Sequence, residues 1–444
     1  VIGVVAALGA LAPSAASADP LPTNRYAIDL YQGPILAPIR VTGLAGSYAG
    51  HAEGIEGMVA NAAAPAVRAP YSVRWLDVDV SASVSLPLVL TRRNDWDNDR
   101  LVDTKTTDFI YLTGGAILQV GRFGFGANAE LQRYTLSGDQ GSSTPITVGK
   151  YHALAAVSLV GSQLALGAGA RVVTLGLDAA DASITMAGAA PELGFLVRPD
   201  WKSVRVGGTF RFPVSGASVL GAPKTRDAAG LGRAGGLVVP DRVAWPWELE
   251  LGVAVQVGPR PLNPRWIDPA AQEAAYLEDH AAELAREADR EVAVARAKKR
   301  LEKERRDRFA NWPRAHLLVT AELLVTGATR DGVSVERFLG QQQQAEAGGP
   351  SLVGSSGASV SFSPRFGVET EPLPGRLHTR FGSYYEPSRL DTPVGRQHFT
   401  FGSDLRLLST TWWGLVPETW YTVQASVDLA PRYESVSLGV GVWH

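Results

Sequence analysis

The stretch "SVRWLDVDVSASVSLPLVLT", Ser72 to Thr91, decides the fold class. Leu76, Val78, Val80, Ala82, Val84, Leu86, Leu88 and Leu90 share one parity, and Asp77, Asp79, Ser81, Ser83 and Ser85 the other. Successive side chains of a β-strand point to opposite faces, so this segment makes one apolar face and one polar face. Its length is as informative as its period. Strands of soluble proteins usually run about five or six residues, whereas a tilted strand that crosses a bilayer needs about ten.

The pattern recurs along the chain. Val243, Trp245, Trp247, Leu249, Leu251, Val253, Val255 and Val257 oppose Glu248, Glu250 and Gln256. Tyr421, Val423, Ala425, Val427 and Leu429 oppose Thr422, Gln424, Ser426 and Asp428, and Val436, Leu438, Val440 and Val442 oppose Ser435, Ser437, Gly439 and Gly441. About fourteen such segments lie between residues 71 and 444, an even number, as a bacterial membrane barrel requires. The expected fold is an all-β transmembrane β-barrel of about fourteen antiparallel strands, with a secreted β-sandwich or β-solenoid as the alternative.

Composition removes other classes. The 444 residues carry a formal net charge of −2, which gives no basic surface for nucleic acid. With no cysteine there is neither a disulfide framework nor a thiolate metal site, and the seven histidines lack metalloprotease spacing. His378 and His398 have carboxylates nearby but no nucleophile motif, so no enzyme is expected. The apolar start "VIGVVAALGALAPSAASADP" ends in Ala16-Ser17-Ala18, a small-x-small pattern that reads as a signal peptide over residues 1–18.

Connections set the orientation. The second, fourth, sixth, tenth and twelfth are brief ("GRFG", "VGSQ", "RPDWKS", "EPLPGR", "GLVPET"), while the first, "RRNDWDNDRLVDTK", and the ninth, "GQQQQAEAGGPSLVGSSG", are long. Barrels of this kind have short periplasmic turns and longer outer loops, which places the even connections and both termini in the periplasm of an outer-membrane protein. The eighth connection, residues 268–312, is different: Asp268 and Pro269 suit a helix start, and no Gly or Pro follows until Pro313. One long, solvated periplasmic helix is expected, with acids in its first half and bases in its second. Residues 270–310 are either a loosely packed arm or a docking element for a periplasmic protein or the cell wall.

Residues 19–70 form a separate N-terminal unit before the barrel at 71–444. From Arg40 to Arg68, "RVTGLAGSYAGHAEGIEGMVANAAAPAVR", it is Gly/Ala-rich and does not alternate. Segments this small pack inside a lumen. Gly43, Gly46, Ala49, the turn Ala52-Glu53-Gly54 and Asn61 resemble the N-terminal segment of the FadL/TodX-like outer-membrane transporters and their PorV-like relatives. This chain has Asn61-Ala62-Ala63-Ala64-Pro65 where that family has Asn-Pro-Ala. The resemblance implies a plug, with Gly43, Gly46, Asn61 and Pro65 among its positions. It also implies uptake of hydrophobic small molecules such as long-chain fatty acids, which leave sideways into lipid.

Parity sends Glu248, Glu250, Glu322, Arg365, Glu369, His378, Arg380, Tyr384, Glu386, His398, Asp404 and Arg406 into the lumen. Mixed signs at such positions read as cross-strand pairs; the sharper alternative is that Arg365, Arg380, Tyr384, Glu386 and Arg406 hold a ligand head group. In the first outer loop, Asp95, Asp97, Asp99 and Asp103 have spacing that suits oxygen ligation of Ca²⁺, although Arg100 and Thr106 replace the Gly and Glu of an EF-hand. Otherwise no cofactor is expected. Two functional alternatives stand beside uptake: a non-specific porin, and a PorV-like barrel serving a secretion or surface-anchoring assembly through residues 270–310.

Overall fold

A computed structural model describes residues 24–443 except 69–71, 73, 88–94, 96–97, 99–105, 138–142, 180–181, 221–224, 227–229, 235–236, 286–288, 340, 342–354, 391–393 and 413–415. A short strand β1 (Ala27–Asp29) leads into α1 (Ile39–Gly43) and α2 (Gly54–Gly57). The wall then begins with β2 (Leu76–Pro87), β3 (Thr106–Val120), β4 (Phe123–Ser137), β5 (Ser143–Leu159), β6 (Leu164–Ala179) and β7 (Ala182–Val197). The seventh wall strand is β8 (Val204–Arg211) followed by β9 (Val214–Leu220). After a small sheet of β10 (Thr225–Arg226), β11 (Gly232–Ala234) and β12 (Leu237–Val238), the eighth is β13 (Arg242–Trp245) followed by β14 (Glu248–Val257). Three helices, α3 (Pro269–Asp279), α4 (Ala281–Leu284) and α5 (Arg290–Ala310), precede β15 (Leu317–Thr326). Next come β16 (Gly332–Ser334) and α6 (Val335–Leu339), then β17 (Ser361–Leu373), β18 (Leu377–Glu386), β19 (Arg396–Trp412), β20 (Val416–Ala430) and β21 (Tyr433–Trp443).

Fourteen wall strands close where β2 pairs antiparallel with β21, from Ala82 opposite Val440 to Pro87 opposite Ser435. Closure leaves no sheet edge in lipid, where an unpaired backbone N–H or C=O finds no water. Val78, Val80, Leu251, Val253, Phe399, Phe401, Leu438 and Val440 all stand exposed on the outer face. An apolar band this extensive on a water-facing surface would aggregate; around a barrel it meets lipid. No helix among the described residues is long and apolar enough to cross a membrane.

Two wall strands are broken at one level, the seventh at Phe212-Pro213 and the eighth at Pro246-Trp247. Proline cannot donate to the ladder, so pairing stops there and resumes in a new direction. Above Pro246, β13 no longer meets the ninth wall strand. Its edge pairs with β1, parallel, with Ile28 opposite Val243, and β1 pairs on its other side with β16, which folds inward from the ninth connection.

Two expectations are corrected. The eighth connection is a helical hairpin rather than one helix: α3 stops at His280, and Asp289 restarts the helix by accepting from Val292 N at 3.1 Å. The segregated charges draw the halves together, with Glu273 3.4 Å from Lys298 and Arg305 donating to Gln272 at 2.6 Å. The buried stripe is Ala293, Ala297, Leu301 and Arg305, while Val292 is exposed. Second, the described N-terminal residues do not share the even-connection end with Trp443. β1 runs parallel to β13 from the odd-connection end, where Asn24 donates to Gly232 O and Val239 O at 2.8 and 2.7 Å. Residues 1–18, the expected signal peptide, lie outside the described residues.

Candidate functional site

The chain enters at the odd-connection mouth, descends as Ala27–Ala37, and packs residues 39–67 across the even-connection half of the lumen. The inward face of the wall is layered to match. On β6 it reads Ala165, Gly167 and Gly169, then Arg171, then Val173, Leu175 and Leu177. On β5 it reads Leu154, then His152 and Lys150, then Val148 and Ile146. From the plugged end upward the lumen is therefore small, then charged, then apolar. The polar residues that parity sends inward are therefore joined by an apolar upper tier.

The lowest tier is a seat. Several strands that meet the plug turn a glycine toward it, and at some of these backbone approaches backbone. A Cβ at Gly402 would lie 2.9 Å from Gly43 Cα, and one at Gly252 would lie 2.7 Å from Gly50 N. Such approaches exclude any side chain. Gly46 supplies the left-handed turn (φ +70°) that ends α1, its N–H reaching Val41 O at 2.8 Å.

Wall side chains then satisfy the plug's backbone, which water does not reach. Glu322 accepts from Tyr48 N and Ala49 N at 2.9 and 2.7 Å, Thr400 donates to Gly43 O at 3.1 Å, and Gln119 donates to Pro65 O at 2.8 Å. Asn61 uses its whole amide: Nδ2 donates to Ala49 O and Phe195 O, and Oδ1 accepts from Ala63 N at 2.9 Å. All four plug positions expected from the sequence thus lie in this seat. Burial raises the Glu56 carboxyl to about 7, opposed by Arg40 and helped by Asp404.

From below, the lead-in to the hairpin crosses under the plug. Arg205 holds both, donating to Asn263 Oδ1 at 2.6 Å, to Leu262 O and to His51 O at 2.9 Å, with Glu53 2.7 Å away. At the far edge Arg68 donates to Gly121 O and Trp75 O, and stacks over Trp266 at 4.4 Å.

The middle tier encloses a cavity of about 100 Å³ between the plug and residues 31–37. Lys150, Arg211 and Arg365 face it together with Glu130, Glu248 and Glu250, and Ile35, Val59, Val148, Trp245 and Leu324 complete it. Its charges are paired: Lys150 with Glu130 at 2.7 Å, Arg211 with Glu250 at 3.0 Å, Arg365 with Glu322 at 3.1 Å, and Glu248 with Arg171 at 2.5 Å.

Of the residues expected to hold a ligand, only Arg365 reaches this cavity. Arg380 is spent on Glu369 and Asp404, each at 2.5 Å, and Arg406 donates to Gly375 O at 3.2 Å. Tyr384 donates to Asp428 at 2.7 Å, and Glu386 pairs with Arg396 at 2.6 Å and His398 at 2.7 Å. Lys150 and Arg211 were missed, and Trp245, read from parity as lying on the apolar face opposite Glu248, lines the cavity beside it because the strand breaks at Pro246. All three sit among apolar neighbours in sequence, and only the barrel brings them to one level.

The upper tier is an apolar core against one side of the wall. Phe109, Tyr111, Ile146, Val173, Leu175, Leu177, Ile184 and Met186 pack on Tyr26, Ile28 and Leu30, with Val333, Val335 and Phe338 from the ninth connection beside them. Arg389 clamps the entering chain, pairing with Asp29 at 3.0 Å and lying over Tyr31 at 4.9 Å. Asp95, one of the four residues considered for calcium, instead faces Arg432 at 3.2 Å, and Arg396 donates to its carbonyl at 2.6 Å. Asp97, Asp99 and Asp103 lie outside the described residues.

The fold and its lumen define a membrane β-barrel plugged by its own N-terminal segment. No family model matches the chain, and no curated protein matches it. Among solved structures it is similar to the Ralstonia pickettii toluene transporter TbuX, at 12% identity and a TM-score of 0.47, over 92% of this chain and 98% of that one. It is also similar to the CymD monoaromatic hydrocarbon channel (10% identity, TM-score 0.46, 92% and 96% of the two chains). A third is a Pseudomonas aeruginosa FadL homologue (10%, 0.45, 94% and 98%).

Proposed function

We propose that this chain is an outer-membrane channel for uptake of small hydrophobic molecules, with its odd connections outside and Trp443 on the periplasmic side. The observation that carries the reading is the apolar inner face of β5 to β9 above the charged tier. A porin keeps its lumen polar for water, whereas a wall that is apolar on both faces gains nothing from water and favours a greasy solute. In the closed state Tyr26, Ile28 and Leu30 occupy that apolar surface, and an entering solute replaces them. The seated plug meanwhile stops polar solutes from following.

Size argues for compact molecules ahead of long acyl chains. The cavity of the charged tier, about 100 Å³, is well below the roughly 300 Å³ of a drug-sized site. The test is uptake by cells expressing Ile146→Asp with Leu175→Asp. Accumulation of a labelled monoaromatic should fall to the level of cells lacking the protein, while barrel assembly, read by heat-modifiable mobility, persists. Undiminished accumulation rejects the apolar route. Surface labelling of a cysteine placed at His444 in intact cells would contradict the orientation.

A further inference from the structure

We propose that a notch at the even-connection rim, between the helical hairpin and the foot of β2, binds the phosphate of a phospholipid headgroup. Four arginines line it, Arg68, Arg265, Arg305 and Arg308, with Trp266 and Trp312, and no carboxylate is among its lining residues. Three of the arginines are committed elsewhere: Arg68 to backbone carbonyls, Arg265 to Asp200 at 2.8 Å, and Arg305 to Gln272 at 2.6 Å and to Glu273 at 3.9 Å. Arg308 is exposed and makes no ion pair among the described residues. A notch lined by guanidinium groups, one of them uncommitted, matches a phosphate, which accepts two parallel N–H bonds from arginine.

Depth selects a lipid over a free anion. Ser72 lines the notch and accepts from Trp266 Nε1 at 3.0 Å, four residues before Leu76, where the lipid-facing row Leu76, Val78 and Val80 begins. Trp75, half exposed, stands between them. Tryptophan favours the headgroup level because its ring is apolar and its N–H is not. A lipid whose phosphate meets Arg308 can therefore lay an acyl chain along that row. The hairpin approaches the barrel at the same place, where Arg74 and Glu302 lie 3.9 Å apart, so the bound lipid would fix the hairpin against the barrel.

The test uses the full-length protein, delipidated in detergent and examined by native mass spectrometry with added phosphatidylglycerol or diacylglycerol. Wild type should retain one phosphatidylglycerol and no diacylglycerol, Arg308→Glu should weaken retention about tenfold, and Arg308→Lys should keep part of it. Heat-modifiable mobility confirms that the variants are folded, since Arg308 is exposed. Equal retention by wild type and Arg308→Glu overturns the site. Thermal stabilisation by millimolar inorganic phosphate but not by phosphatidylglycerol overturns the lipid assignment.

Discussion

Replacing Glu322 with alanine removes one of the ties between wall and plug, beside the ion pair of plug Arg40 with wall Glu369 at 2.7 Å. The Glu322 carboxylate accepts two backbone N–H groups, Tyr48 at 2.9 Å and Ala49 at 2.7 Å, and pairs with Arg365 at 3.1 Å. Hydrogen bonds to a charged group contribute about 1.5 to 3 kcal/mol each, so losing both weakens docking of the plug by about 3 kcal/mol or more. That corresponds to roughly a hundredfold rise in the ratio of unseated to seated plug. The barrel itself should survive, because β15 keeps its ladders to β14 and β17. Single-channel recording in planar bilayers should show brief openings about a hundred times more often than in wild type. Glu322→Gln, which keeps an acceptor but not the charge, should show a smaller rise. Indistinguishable conductance in wild type and Glu322→Ala, with heat-modifiable mobility intact, would refute the idea that this carboxylate seats the plug.

Ile28→Cys with Val243→Cys, in a chain that has no other cysteine, should form a disulfide across the β1–β13 pair. Uptake of a labelled monoaromatic should stop when the pair is oxidised and return on reduction; uptake unaffected by oxidation would show that β1 stays in place during transport. Because the Glu56 carboxyl titrates at about 7 when the plug is seated, above its ordinary value, the stability it lends is present in acid and lost as pH rises through about 7. Polar-solute leak should therefore increase from pH 6 to pH 8 in wild type and much less in Glu56→Gln, as read by liposome swelling. Replacing residues 269–310 with a short Gly/Ser turn, while keeping Leu262 to Ile267 under the plug, should leave a correctly inserted barrel. Failure to fold in purified lipid would make the hairpin part of the barrel's own packing, and loss of function with intact folding would favour a periplasmic partner.

Much of the wall was legible in the linear pattern because strand parity is local. A period of two along Leu76 to Leu86 needs no knowledge of distant residues, and the even number of long strands then implies closure. Helix starts were partly legible for the same reason: Asp268 caps α3, as its position before Pro269 suggested. The restart at Asp289 has an equally local signal, overlooked because helix-forming residues on both sides masked it.

What the sequence by itself determined, then, is most of the lipid-facing surface, the strand count, and the small-residue segment able to enter a lumen; Val243 and Trp245, on the apolar parity, face inward beyond the break at Pro246. Tertiary structure alone decided how that lumen is divided. Gly252 and Gly402 carry no sign of their partners, because the need for glycine arises only where Gly50 and Gly43, some 200 and 360 residues away, come within contact. Val173 and Arg171 have the same parity, yet one faces Ile28's apolar neighbourhood and the other Glu248, and only their height in the barrel separates them. Likewise the folding of the charged insert into a hairpin depends on acids meeting bases across a turn, an attraction that acts in space rather than along the chain.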